Sequence, residues 1–465
     1  MLRLFFTYTW RTMSGLELRD PIHGFVYREP LEQRVIDTCV FQRLRRLRQL
    51  AMASLVYPGA VHTRFDHSIG ALHIARELCE KLLPGEDSRR LVRLAALLHD
   101  IGHGPFSHVS EPLLQRYSDK TKLKVKSQDE VHELISWGVI LHNKELARLL
   151  SEEDREHIVG LLKGDYGFSL YKDIVSGPVD VDKQDYLLRD SHFCGVKYGL
   201  YDQGRLKDTL LCHEDADDLI LALSPHGVHS LEQFVLARYY MHTQVYRHKI
   251  RLITDKMIER GITLGIEQDK IGWLKDLYSF DGTPEFLDEY LSWYDERLFS
   301  EILRPEVPDG YAKMIFQQLQ DRKLLKMIFE AQERDFADPE VRKALFGDST
   351  DFSGQLEEKI ASAYGFDKNL VIAQRLSFKS ATRTESDIVV LHPGGRRLFR
   401  DESALFSSVN QSIQEQYFHV YAPVSYKDDR EKRKRQTEFF SEIIRMITEL
   451  LSPGKESATA AGGAK

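Results

Sequence analysis

The sequence predicts a mainly α-helical protein with a smaller C-terminal α+β lobe. Three observations carry this. Apolar residues recur at spacings of three and four from about residue 31 to residue 366. Alternating strand patterns are scarce over the core of that stretch. β-branched residues and turn signals gather only after about Leu370.

Taken in order, Leu91, Leu94, Ala95, Leu97 and Leu98 form one helical face that leads into His99-Asp100, and Gly102, Gly104 and Pro105 stop that helix. Ile250, Ile253, Met257 and Ile258 mark another core-facing stripe. Residues 262–366 read as further helices with aromatic-rich joins such as YLSWYDERLF, and no period repeats. Residues 387–391 are a β-branched run, Pro393-Gly394-Gly395 is a turn signal, and residues 397–399 resume an extended pattern, which suggests a hairpin. A helix at 404–416, a strand at 417–421 and a long last helix ending at Leu451 complete the lobe. The expected organisation is an N-terminal arm at 1–15, a core at 16–261, a helical extension at 262–369, the lobe at 370–451, and a flexible Gly-, Ala- and Ser-rich tail at 452–465. The run KDDREKRKRQ opens the last helix and reads first as a solvated face.

The 465 residues are 42% hydrophobic, 29% charged and 10% aromatic, an ordinary composition for a globular chain. The formal charge of −7 disfavours nucleic acid as an obligate partner, although a local basic cleft stays open. Cys39, Cys79, Cys194 and Cys212 lack CxxC spacing and read as reduced thiols of a cytoplasmic protein. No apolar run approaches the ~20 residues of a membrane span. The opening MLRLFFTYTW is too broken by polar residues to read as a signal peptide.

Three segments carry chemistry: HTRFDHS from His62 to Ser68, HDIGHGPFSH from His99 to His108, and DVDKQDY from Asp180 to Tyr186. Two imidazoles and two carboxylates make a mixed nitrogen and oxygen site suited to iron, manganese, zinc or nickel, and poorly suited to calcium. Adjacent His99 and Asp100 differ by ~100° around a helix axis and can flank one ion. A buried His–Asp hydrogen bond is the plain alternative for that pair. It does not account for the density of ionisable residues, with His103, His108 and His132, beside apolar helices.

The ordered series H…HD…D, with DPIHG, FQRLRRLRQL, YPGAVHTRFDHS, HDIGHGPFSH, VHE, DVDKQDY and YRHKI, resembles the HD-domain deoxynucleoside triphosphohydrolases. The likeness runs from near Asp20 to Ile250, about half the chain, and is strongest to the branch holding the vertebrate SAM-and-HD-domain enzymes and their bacterial relatives. No SAM-like segment precedes the motifs. The resemblance implies an HD phosphohydrolase core at 16–261 that holds a metal through His67, His99, Asp100 and Asp182. It implies cleavage of a dNTP to deoxynucleoside and inorganic triphosphate, with His103, His108, Glu111 and His132 as catalytic candidates. His108 is favoured as the proton donor, because an imidazole titrates near neutrality. Glu111 stands where the family has an aspartate.

By the same carry-over Arg64, Lys183, Arg238 and His242 would grip the triphosphate, with Mg²⁺ bridging its oxygens. Arg238, His242 and Tyr246 recur every four residues, which would align them on one helical face. Gln49 and Asp190 would read the 3′-hydroxyl, and Leu50, Tyr186 and Tyr246 would crowd out a ribose. Asp37, Gln42 and Arg45 fall where relatives read the guanine of an activating nucleotide between subunits, which implies a homo-oligomer, dimer or tetramer. The plain alternative is a surface with Arg43, Arg45 and Arg46 solvated. Leu16, Glu17, Ser224 and His226 depart from the family's effector ligands, so a weakened or altered effector site is expected. Competing readings are an HD-type phosphodiesterase or single-strand nuclease, and a nucleotide-sensing or nucleic-acid-binding protein with a vestigial site.

Overall fold

In the computed structural model, residues 17–123, 130–347, 351–378, 385–407 and 415–451 are described. The expected arm at 1–15, Leu16 and the tail lie outside them. The chain folds into two compact units: residues 1–237, 277–297 and 388–397 form the first, and residues 238–276, 298–387 and 398–465 the second. The architecture is mainly helical with small sheets, as the periodicity predicts.

In the first unit the Arg64–Leu82 helix is the central element, packed against the Glu86–Leu98 and Val181–Cys194 helices. Thr63 and Asp66 form a reciprocal capping box that fixes where it starts. Glu86–Leu98 opens with a polar turn and a half; its last eight residues are buried, and Arg93 among them is neutralised by buried Glu32 at 2.7 Å. Asp180 caps Val181–Cys194, and Gly195, at φ +68°, ends it in the left-handed conformation. Ahead of these helices stands a hairpin of Glu17–Asp20 and Gly24–Tyr27.

The sequence understated the strands. Leu210–Asp215 and Asp218–Leu223 form an antiparallel hairpin in a stretch read as helical, with Asp218–Leu223 bearing a buried apolar end. The hairpin expected after 387 exists as Val389–His392 and Gly395–Leu398. Val389–His392 lies parallel to Asp218–Leu223 and so extends that sheet. This pairing joins residues far apart in sequence, which no local pattern reveals.

The second unit packs the Lys249–Glu267 helix on Tyr311–Gln320. Lys326–Gln332, a strand inside the expected helical extension, pairs with Glu415–Ala422, which in turn pairs with Ile372–Phe378, all antiparallel. Phe329, Leu345, Leu356, Ile360, Phe418, Val420, Phe439 and Ile443 fill the space between this sheet and its helices, including the predicted last helix, Asp429–Leu451. Of the helix expected at 404–416, Ala404–Ser407 is formed, and 408–414 lie outside the described residues.

Candidate metal centre

His67 projects from the first turn of Arg64–Leu82, His99 and Asp100 follow the end of Glu86–Leu98, and Asp182 sits in the first turn of Val181–Cys194. Their ligand atoms converge. His67 Nε2 is 3.4 Å from His99 Nε2, 3.0 Å from Asp182 Oδ1 and 3.7 Å from Asp100 Oδ2, and His99 Nε2 is 3.3 Å from Asp100 Oδ1. Ligands bound about 2.1 Å from a common ion lie about 3.0–3.4 Å apart. Three of these separations fall in that range, and His99 Nε2 to Asp182 Oδ1, at 3.8 Å, lies just beyond it. The cluster of His67, His99 and Asp100 with Asp182 at its side is thus compatible with one transition-metal ion.

Tautomers strengthen the fit. His67 Nδ1 donates to Asp185 Oδ2 at 2.9 Å, and His99 Nδ1 donates to the Ala96 carbonyl at 2.8 Å. Both partners only accept, so each ring keeps a proton on Nδ1 and turns Nε2 toward the other and toward two carboxylates; on His67 a bound cation would take the place of the Nε2 proton that faces Asp182. Such an arrangement calls for a cation. Burial alone would lower His67, yet its hydrogen bonds to Asp182 and Asp185 outweigh that and lift it to about 10, the signature of a site that attracts positive charge. Burial would likewise raise Asp182 and Asp100, but His67 and His99 beside the first, and Arg64, His99 and His103 beside the second, hold both carboxyls well below the usual range.

A brace behind His67 escaped the sequence reading. Asp185 accepts from His67, from His23 Nε2 at 2.7 Å and from Arg189 at 2.8 and 2.9 Å, while Arg189 also binds Asp20 at 2.8 Å. Every member is buried or nearly so. Gly70 is required here, since a Cβ would lie 1.8 Å from Asp185 Oδ1. The signal was present in DPIHG and in the four-residue spacing of Asp185 and Arg189, but three aspartates in DVDKQD look alike until the helix is placed.

Beside the quartet stand the three further histidines. His103 is buried, 3.3 Å from Asp100 Oδ1, and stacked on His132 with ring centroids 3.9 Å apart. Burial first, then the charges of Arg64 and His132, hold His103 well below its ordinary value and keep it neutral. Glu111 accepts from His132 Nδ1 at 2.8 Å and from the Val131 N–H at 2.7 Å, so it orients that ring and caps the Val131–His142 helix. His108 meets His103 edge to face at 5.2 Å and is exposed. Its outward position follows from Phe106 and Ser107, both left-handed at φ +60° and +55°, a backbone strain typical of functional turns. Buried Asp295 steadies the turn by accepting the Phe106 N–H at 2.7 Å.

The remaining candidates divide. Arg64 is buried, donating to Ser107 Oγ at 2.8 Å and to Asp100. Lys183 Nζ binds the Gly177 carbonyl at 3.0 Å and Asp180. Leu50 and Gln49 are buried and Tyr186 is half-buried. Asp190 Oδ1 lies 2.6 Å from His62 Nε2, a pairing not foreseen. In the second unit Arg238 is paired with wholly buried Glu385. There the expected α-helical face is interrupted, because His242–Tyr246 widens into a π turn, which keeps the His242 and Tyr246 rings edge to face at 5.1 Å. Burial, then Arg238, Arg247 and Arg251, push His242 down to about 3. Asp37 and Arg45 are exposed; Gln42 Nε2 donates to the Ile36 carbonyl, and Gln42 Oε1 accepts from Arg45 at 2.8 Å. Arg43 is not solvated: it is buried and donates to the Trp293 and His103 carbonyls at 2.9 Å each.

This helical cradle, with its His, His-Asp and Asp ligands at the ends of three helices, defines an HD-type site. The HD domain model matches residues 64–185 and the HD associated region residues 201–440, and the chain belongs to the HD-domain family. It is 33% identical to an uncharacterized protein of Methanocaldococcus jannaschii over 57% of this chain and 52% of that one. It is 32% identical to the deoxynucleoside triphosphate triphosphohydrolase SAMHD1 of Homo sapiens over 68% of this chain and 55% of that enzyme. The chain thus spans about half the length of these curated relatives. A crystal structure of a phosphohydrolase from Bacteroides thetaiotaomicron shares the fold, with a TM-score of 0.69 at 24% identity, covering 87% of this chain and 99% of that one. Among the described residues no helix is long and apolar enough to cross a membrane.

Proposed function

We propose that the protein is a metal-dependent dNTP triphosphohydrolase, releasing deoxynucleoside and inorganic triphosphate. The observation that carries this is the facing pair of His67 and His99 Nε2 atoms, closed by Asp100 and Asp182, beside three histidines of graded exposure. A divalent ion held there would supply Lewis-acid stabilisation of phosphoryl charge and acidify water. The leaving 5′-oxygen needs a proton. His108 is the donor in this reading: it is the exposed member of the trio, whereas neutral, buried His103 is poorly suited to give one up. Glu111 and His132 orient the site, and Arg64 and Lys183 balance phosphate charge.

Arg238, His242 and Tyr246, together with Gln49, Leu50, Tyr186 and Asp190, keep the substrate roles that the resemblance implies. Mg²⁺ on the triphosphate belongs to the same reading. So do a homo-oligomer and a guanine or other nucleotide effector at Asp37, Gln42 and Arg45, in a cytoplasmic setting.

The test is to load the protein with metal and supply each dNTP, each NTP and single-stranded DNA. Inorganic triphosphate released from dNTPs is expected. Mononucleotides released from DNA would select a nuclease instead, and no product from any substrate would leave only a sensing role.

A further inference from the structure

His62 has no part in the chemistry above, yet its placement is costly. Its side chain is fully buried and stacked on Phe193, with centroids 4.7 Å apart and planes 19° from parallel. Among the described residues its one side-chain hydrogen bond is to Asp190 Oδ1, at 2.6 Å. An ionised carboxylate only accepts, so the proton sits on Nε2 and the ring's Nδ1 is a bare lone pair, buried without a partner. A leucine would fill the same dry space with no orphaned atom. The histidine therefore acts on Asp190.

The backbone supplies the second half of the argument. Residues 47–49 run antiparallel to 62–64: the Gln49 N–H donates to the His62 carbonyl at 3.1 Å, the Arg64 N–H to the Leu47 carbonyl at 2.9 Å, and Arg48 lies opposite Thr63. This clip holds Gln49 beside His62, and the Gln49 amide Oε1 is also buried without a partner. The clip then runs directly into the Arg64–Leu82 helix, whose first turn bears His67. A buried amide acceptor without a partner, on a residue tied by its backbone to His62, whose ring holds the Asp190 carboxylate, calls for a donor from outside, and buried acceptors are rarely left without one. A sugar hydroxyl has the needed proton.

We propose that His62 is the positioning residue of a sugar-reading pair, Gln49 and Asp190, and that through Asp190 it sets the requirement for a 3′-hydroxyl. This rests on the dNTP reading above. His62 does not touch substrate; it locks the Asp190 carboxylate, and Phe193 locks His62.

The experiment compares dTTP with 2′,3′-dideoxythymidine triphosphate on the metal-loaded protein. Wild type should favour dTTP in kcat/KM by about 10–100-fold, the worth of a hydrogen bond to a charged group. His62→Ala should shrink that ratio to within about threefold, through a higher KM for dTTP, with metal content and the dideoxy kinetics little changed. His62→Gln, which can still donate to Asp190, should restore most of the ratio. A His62→Ala protein that holds metal and keeps the wild-type ratio would overturn the proposal. If His62→Ala does not fold, His62→Gln decides: a ratio as low as an Asp190→Ala control would count equally against it. A wild type that hydrolyses both nucleotides alike refutes the sugar-reading role alone. A wild type that hydrolyses neither removes the dNTP reading itself.

Discussion

The metal quartet and the histidine trio occupy neighbouring segments of one unit, and they are supported in opposite ways. Behind His67 lies a closed ionic brace, His23, Asp185, Arg189 and Asp20, with every oxygen of Asp185 engaged and no room even for a Cβ at Gly70. The trio instead grades outward from buried His103 through His132 to exposed His108, carried by a strained turn. Coordination needs ligand atoms fixed to within a few tenths of an ångström, which cross-bracing supplies. Proton transfer needs a group that can re-equilibrate with water, which burial would prevent.

The largest contrast comes from deleting a ligand. His67→Ala should remove hydrolysis altogether while the helical circular dichroism persists, because the apolar core of Glu86–Leu98 does not depend on it. Turnover within tenfold of wild type would break the coordination half of the comparison. On the other side, His108→Ala should keep its metal and lose about 10²-fold or more in kcat. Unchanged kcat would pass the donor role to His132 or His103.

The brace itself predicts an intermediate effect. Asp185→Asn cannot accept from His67, His23 and Arg189 together, so metal affinity should fall about 10–100-fold at saturable activity. Equal affinity in a competitive chelator titration would mean that His67 is held by packing alone.

The smallest expected effect lies outside both regions, at the exposed Asp37 and Arg45. There Arg45 stacks over Phe65 at 3.4 Å. With GTP or a dNTP present, mass by size-exclusion chromatography and dNTPase rate should change together, and Arg45→Ala should reduce that response by about 5-fold or more. A response untouched by the substitution would reduce these residues to plain surface.

The sequence made the side chains of both regions legible, but not what supports them. His99-Asp100 stood out at the end of an apolar helical face, while His67 and Asp182 were singled out by the ordered H…HD…D series that resembles the family. Glu111 and His132 were visible as a pair of motifs, though not their 2.8 Å hydrogen bond. Apart from Asp185 and Arg189, four residues apart, the contacts of the brace and of the His62–Asp190 pair join residues more than a hundred positions apart, and an aspartate in a run of aspartates carries no label of its partner. Arg43 looked like its neighbours Arg45 and Arg46, yet only it turns inward, where two carbonyls receive it. The strands at 210–223 and 326–332 were missed for a related reason: their pairing partners, not their own pattern, make them strands.

The central claim is that four side chains on three helices hold one ion. Elemental analysis of the metal-reconstituted protein should find about one equivalent of a transition metal per chain in the wild type, and little in Asp182→Ala, with the fold intact in both. Full occupancy in Asp182→Ala, or a wild type that takes up no metal, would contradict it.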